Sequence, residues 1–304
     1  MEWEAGFLEK LQSVSNDASN FFWKLASLLG EEMVVIAVVM FLFWCIDKRK
    51  GLKMMNIYFV SAAIVAGVKA VVRRVRPFNA YPDKVQSIGD ASTDYCFPSG
   101  HTNSVTTLAA LTVREFPKAR KATIPIGIVV VLLVMFSRMF LGQHYPTDVL
   151  AGAATGILIV ALFGWVYDFL GDREEYLAFV LAPAAIVASV LIGIFADPDF
   201  TDTALTLTGV MTSVYACYFI EKRFVKWETK ASVLQNILKF VLGAAGAMVI
   251  YLPFELSAFA DITVWVTAFV RYFLIGIWLI LGAPLVFKAL GLYKKDETKS
   301  VKPS

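Results

Sequence analysis

Only two histidines occur in the 304 residues, and each stands within a short polar run at the edge of an apolar stretch. His101 closes Pro98-Ser99-Gly100-His101. His144 lies in SRMFLGQHYPTD, Ser137 to Asp148, between Arg138 and Asp148. A third run, KAVVRRVRP from Lys69 to Pro77, supplies Lys69, Arg73 and Arg76. These residue types suit phosphate chemistry. Lys69, Arg76 and Arg138 can clamp non-bridging oxygens, the arginines bidentately. Ser99 reads as a helix N-cap with Gly100 allowing close approach, so free N–H groups and the helix dipole make an anion site. Lys69 and Arg76 are two helical turns apart and are expected to share a face, with Arg73 between them. Pro146 is a natural first-turn residue. Asp148, about one turn past His144, would accept a bond from one imidazole nitrogen and aim the other at phosphorus. His101 is then left as proton donor.

Each residue taken singly has a plainer reading. Lys69 can snorkel, Arg73 and Arg74 can meet lipid headgroups, and PSG is a common turn. Together, charges placed within apolar segments are costly, and such residues are usually functional.

The elements that must position them are read from composition. The chain is 58% hydrophobic and 17% charged, where a soluble protein carries about a quarter charged residues. Its apolar residues gather into nine blocks of roughly bilayer-spanning length, near 31–47, 55–75, 99–115, 122–141, 147–170, 176–196, 203–220, 233–252 and 262–288. An integral membrane protein is expected, all helical. Lys and Arg cluster at 48–53, 114–121, 222–230 and 294–302, and are absent from 196–202 and 253–261. The positive-inside rule then sets the N-terminus outside, the C-terminus in the cytoplasm and all three polar runs on the outer side. The acidic start, Glu2, Glu4 and Glu9, is unlike a cleavable signal. Trp3, Phe7, Leu8, Leu11 and Val14 predict an amphipathic helix, lying in the membrane interface or packed on neighbouring helices, with Glu4, Glu9 and Lys10 on its polar face. Three cysteines without paired spacing argue against a disulfide scaffold or zinc site. Neither a metal nor another cofactor is expected.

The pattern K-x6-RP, PSGH and SR-x5-H-x3-D resembles the type 2 phosphatidic acid phosphatase (PAP2) superfamily, and no position departs from it across residues 69–148. The resemblance implies a six-helix core with three additional C-terminal transmembrane helices. The division becomes an interfacial segment 1–30, a catalytic core 31–196, added helices 197–290 and a basic tail 291–304. It implies His144 as nucleophile, His101 as general acid and Asp148 beside them, with a phosphate cradle of Lys69, Arg76, Ser99, Gly100 and Arg138. The implied activity is hydrolysis of lipid phosphates or diphosphates, such as polyprenyl diphosphate, phosphatidate, phosphatidylglycerophosphate or sphingoid phosphate, through a phosphohistidine. The implied setting is the outer face of a bacterial plasma membrane. A glucose-6-phosphatase-like hydrolase of soluble esters, or an anion-binding or transport protein without turnover, are the alternatives. The partners expected are the bilayer and the lipid substrate, with no nucleic acid; oligomeric state stays open. Of the remaining polar residues, Arg271 is read as one half of an ion pair with Glu255 or Asp261, and Lys239 as snorkelling. Gly152 and Gly156 are read as a close-packing seam.

Overall fold

The computed structural model describes residues 2–177, 179–180, 182–187, 198–255 and 264–293, and its regular elements are all helical. The helices are α1 (Glu2–Gln12), α2 (Asp17–Leu28), α3 (Glu32–Phe41), α4 (Lys48–Val72), α5 (Pro77–Ala80), α6 (Gly100–Glu115), α7 (Arg120–Phe140), α8 (Pro146–Leu170), α9 (Pro198–Ile220), α10 (Val233–Glu255), α11 (Val264–Ile277) and α12 (Ala283–Ala289). Among the described residues six helical stretches are long and apolar enough to cross a bilayer, and the bent pair α2–α3 would make a seventh. Most of the block expected at 176–196 lies outside the described residues, as do Asp261 and the basic tail beyond 293. Two compact units are formed, residues 1–38 with 53–171, and 39–52 with 172–304.

In the first unit α6 is the helix on which the others are organised. It is short for a span and carries Thr102, Asn103, Ser104, Thr106 and Thr107 on buried positions. These are matched by α4, where Ser61 donates to Asn103 Oδ1 (2.9 Å) and meets Thr107 Oγ1 (3.1 Å), while Tyr58 meets Ser104 (3.3 Å). The same stretch also packs on α8 through the two glycines anticipated from sequence. A Cβ at Gly152 would stand 2.5 Å from the Ser99 carbonyl, and one at Gly156 3.0 Å from Thr107 Oγ1. At the far end of these helices Lys53 pairs with Glu115 (2.9 Å) and Asp168 (3.2 Å), and Arg114 joins Asp168.

Two helix limits differ from expectation for local reasons. α4 begins at Lys48 rather than 55, because Asp47 Oδ1 accepts the N–H groups of Arg49 and Lys50 and caps it. It ends at Val72, where Arg73 takes a left-handed conformation (φ 50°). Arg76 is therefore not on α4, and the shared helical face expected for Lys69, Arg73 and Arg76 does not exist.

In the second unit Trp44 donates to the Leu279 carbonyl (3.0 Å), and Lys48 pairs with buried Glu221 (2.9 Å). Lys239, expected to snorkel, is fully buried: its ammonium bonds the carbonyls of Thr229 (2.8 Å) and Trp44 (3.4 Å) and the Asn236 side chain, 5.4 Å from the Trp227 ring. Arg271 lies over the rings of Tyr251 and Tyr272. The side chains of Glu255 and Asp261 lie outside the described residues.

The α6–α8 seam gives a stability test. Gly152→Val should lower stability by about 2 kcal/mol through overpacking against Ser99. Gly67→Ala on α4, where a Cβ meets nothing within 4 Å, should be neutral or stabilising by up to about 1 kcal/mol. Thermal unfolding of the two variants in one detergent checks the contrast.

Candidate active site

Ser99 is the N-cap of α6, its Oγ accepting from the Thr102 N–H (3.4 Å) and hydroxyl (3.1 Å). Its own N–H donates to the Asp148 carbonyl (3.0 Å), which ties the start of α6 to the first turn of α8. A Cβ at Gly100 would meet no atom within 4 Å, so the backbone here is open to close approach.

His144 sits in the turn between α7 and α8. The Arg138 carbonyl accepts from the N–H groups of both Gln143 (3.0 Å) and His144 (3.3 Å). Gly142 makes the turn at φ 73°, where any Cβ would strike the Gln86 carbonyl. The ring of His144 is 1% exposed. Its Nδ1 lies 2.8 Å from the Cys96 carbonyl, which can only accept, so Nδ1 carries the proton and Nε2 keeps its lone pair. Nε2 faces Arg76 Nη1 at 3.4 Å.

Asp148 departs from its expected place. Its Oδ2 is 3.6 Å from Nδ1, beyond a hydrogen bond, and accepts instead from the Tyr145 N–H (2.8 Å). Its Oδ1 meets Arg74, whose guanidinium also bonds Thr147 Oγ1 (2.7 Å) and Glu4 (2.6 Å) and stacks on the Tyr145 ring. A backbone carbonyl orients the ring, and the Asp148 oxygens are taken by the Tyr145 N–H and Arg74. Nothing in the sequence distinguishes a carbonyl that will do this.

Lys69 and Arg76 meet through a residue rather than a helix face. Asp94 bonds both of them, and its carbonyl also accepts from Arg76 Nε (2.8 Å). Arg76 further donates to the Gln143 carbonyl (2.9 Å), beside His144. Burial pushes the Asp94 carboxyl up, but Lys69 and Arg76 outweigh it and hold it below its usual range. Arg138 is buried, donates to Ser27 Oγ (2.9 Å), and its Nε has no hydrogen-bond partner. His101 Nε2 lies 3.0 Å from Glu31, in the bend between α2 and α3. Nothing in the sequence marks Glu31, Asp94 and Glu4 for these contacts, because carboxylates near segment ends look like ordinary solvated charges.

Residues 50–172 match the PAP2 superfamily, and residues 205–295 match the PAP2 superfamily phosphatase transmembrane extension. The chain belongs to the PAP2 superfamily. It is an all-helical integral membrane protein of this fold with a transmembrane extension. It is 35% identical over 128 residues to an undecaprenyl-diphosphatase of Sulfolobus acidocaldarius, covering 42% of this chain and 60% of that one. It is 38% identical over 117 residues to a decaprenylphosphoryl-5-phosphoribose phosphatase of Mycobacterium tuberculosis (38% and 59%). A probable sphingosine-1-phosphate phosphatase of Dictyostelium discoideum is 30% identical over 211 residues (65% and 51%). The alignments thus span three-fifths or less of these relatives' lengths.

His144 is held neutral by burial first and then by Arg76, Arg138, Lys69 and His101, which push its pKa well below the usual value. An unfolded histidine takes up a proton below about pH 6.5, while the native ring resists one, so this group costs stability as pH falls through that range. His144→Gln removes the cost. The wild type should therefore lose more thermal stability than His144→Gln between about pH 7 and about pH 5. An equal loss in both would show that the ring is not held neutral.

Proposed function

We propose that this PAP2 protein hydrolyses lipid phosphates or diphosphates on the extracytoplasmic side of the membrane through a phosphohistidine at His144. The observation that carries the reading is the His144 ring: Nδ1–H is fixed on the Cys96 carbonyl and the Nε2 lone pair faces Arg76. In attack, Nε2 bonds phosphorus as the bond to the leaving oxygen breaks. His101 gives its proton to that oxygen. A water then attacks the phosphohistidine, returns a proton to His101 and releases phosphate, restoring the ring. Lys69, Arg76 and Arg138, with the start of α6 at Ser99 and Gly100, neutralise the equatorial oxygens. Asp94 occupies the face of Lys69 and Arg76 that a phosphate would take, so binding displaces its carboxylate, which is half-exposed. Asp148 supports the positive charge that grows on the ring.

Placement and relatives support a lipid substrate. The site lies at the ends of α4, α6, α7 and α8, where a phosphate on a lipid arrives by lateral diffusion. The relatives' names specify polyprenyl and sphingoid phosphates. Polyprenyl diphosphate is the favoured substrate.

Phosphate release by purified protein tests the reading. His144→Ala should abolish turnover, and His101→Ala should allow slow phosphorylation only by a substrate with a good leaving group. Fixed cations supply the neutralisation, so EDTA should leave turnover intact and vanadate should inhibit it. A long-chain lipid phosphate should exceed glucose 6-phosphate in kcat/KM by at least about tenfold, or about 1.4 kcal/mol. Full activity in His144→Ala would overturn the mechanism, and a preference for the sugar ester would overturn the lipid assignment. For sidedness, Lys84→Cys in the loop before α6 should react with an impermeant thiol reagent on intact cells. Lys118→Cys, between α6 and α7, should react only after permeabilisation, and the reverse pattern would place the site in the cytoplasm.

A further inference from the structure

Glu4 lies on the polar face of a helix read from sequence as amphipathic, where a carboxylate is expected in water. It is instead 3% exposed. Leu8, one turn on, is buried with Val85, Cys96 and Tyr145, and Gln12 bonds the backbone of Gln86 and the Phe140 carbonyl. Trp3 and Phe7 are exposed beside them. α1 therefore lies along the turn that carries His144. Glu4 Oε1 accepts from the Thr147 hydroxyl (2.6 Å) and N–H (3.2 Å), while Oε2 accepts from Arg74 (2.6 Å). Burial raises the Glu4 pKa, but the Thr147 bonds and Arg74 outweigh it, and the group stays ionised.

We propose that Glu4 is a positioning residue for phosphoryl transfer, acting through Arg74 on Asp148 and so on His144. The inference rests on the phosphohistidine reading above. Arg74 is one cation between two carboxylates, Glu4 and Asp148. With Glu4 present, Arg74 cannot fully neutralise Asp148, and the trio keeps a net negative charge 3.6 Å from His144 Nδ1. Lys69, Arg76, Arg138 and His101 bear on the ring with the opposite sign. In the ground state the cations win and the ring is neutral. As Nε2 bonds phosphorus, positive charge grows on the imidazole, and the negative trio behind Nδ1 stabilises it. Without Glu4 the pair Arg74–Asp148 is neutral and this stabilisation is lost. The effect belongs to the transition state, not to substrate binding, which engages the other side of the ring.

The test uses the full chain in detergent with a lipid phosphate substrate. Glu4→Gln keeps the size of the side chain and removes its charge. Its kcat should fall about tenfold with KM changed by less than about twofold. Adding Arg74→Met removes the neutralising cation, so the double variant should regain at least about threefold in kcat over Glu4→Gln alone. A purely structural brace predicts the opposite, a double variant slower than either single one. Because the chain has two histidines, NMR of isotope-labelled histidine gives a readout independent of turnover. The ring nitrogens of His144 should shift in Glu4→Gln and move back in the double variant, with those of His101 unmoved. Unshifted His144 signals, a kcat for Glu4→Gln within about twofold of wild type, or a slower double variant would overturn the proposal. A wild type that releases no phosphate while these shifts persist would overturn the phosphatase reading and leave the coupling supported.

Discussion

A neutral imidazole buried beside Lys69, Arg76 and Arg138 has one polar contact that fixes its tautomer, the bond from Nδ1 to the Cys96 carbonyl. The rest of the site depends on that bond. It decides which nitrogen carries the lone pair and turns that nitrogen toward Arg76. Maintaining it requires the Cys96 loop and the His144 turn to stay in register. Several contacts do this together: the Cys96 N–H on the Arg74 carbonyl (3.0 Å), the Ser99 N–H on the Asp148 carbonyl (3.0 Å), and Leu8 packed against both Cys96 and Tyr145. The cations are tolerated because carboxylates stand among them. Asp94 joins Lys69 to Arg76, Glu4 and Asp148 flank Arg74, and Glu31 meets His101 near Arg138.

Helix packing in a lipid solvent explains why the site can be this exact in register. Apolar side chains gain little from meeting one another when lipid is equally apolar, so helices are held by close approach and by polar contacts. α6 and α8 use the first means, at Gly152 and Gly156. α4 and α6 use the second, through Ser61, Asn103, Thr107, Tyr58 and Ser104. Both sets lie along the same helix, α6, whose first turn holds Ser99 and His101. A shift of α6 along either neighbour would break the buried bonds to α4 and drive Ser99 into Gly152 of α8.

The helical class, the N-cap at Ser99, Pro146 at the start of α8 and the glycine seam were legible because each follows from a local rule of periodicity, capping or side-chain size. What could not be read depended on contacts between distant segments. Lys69 and Arg76 share a carboxylate rather than a helical face: a left-handed Arg73 ends the helix between them, and Asp94, eighteen residues beyond Arg76, bridges them. Glu4 reads as solvated because it falls on the polar side of an amphipathic pattern. The partner that buries it, Thr147, is 143 residues away. Spacing alone puts Asp148 on the imidazole, but a carbonyl that carries no sequence signal occupies that position.

The same distinction separates two kinds of buried charge within the apolar segments. Lys239 and Arg138 are both buried cations, and only Arg138 stands within a sequence motif, SR-x5-H-x3-D. Lys239 spends its three ammonium protons on Thr229, Trp44 and Asn236, with the Trp227 ring beside it, so its hydrogen-bonding capacity is filled from within its own unit. Arg138 gives one bond to Ser27 and leaves Nε without a partner. An unsatisfied donor in low dielectric is unfavourable unless something else is meant to meet it. Arg76 is an intermediate case, with its donors on Asp94 and Gln143, but Asp94 is half-exposed and can leave. A buried cation whose valence is open, or closed only by a movable carboxylate, is suited to receive an incoming anion. One closed by carbonyls is suited to hold helices together.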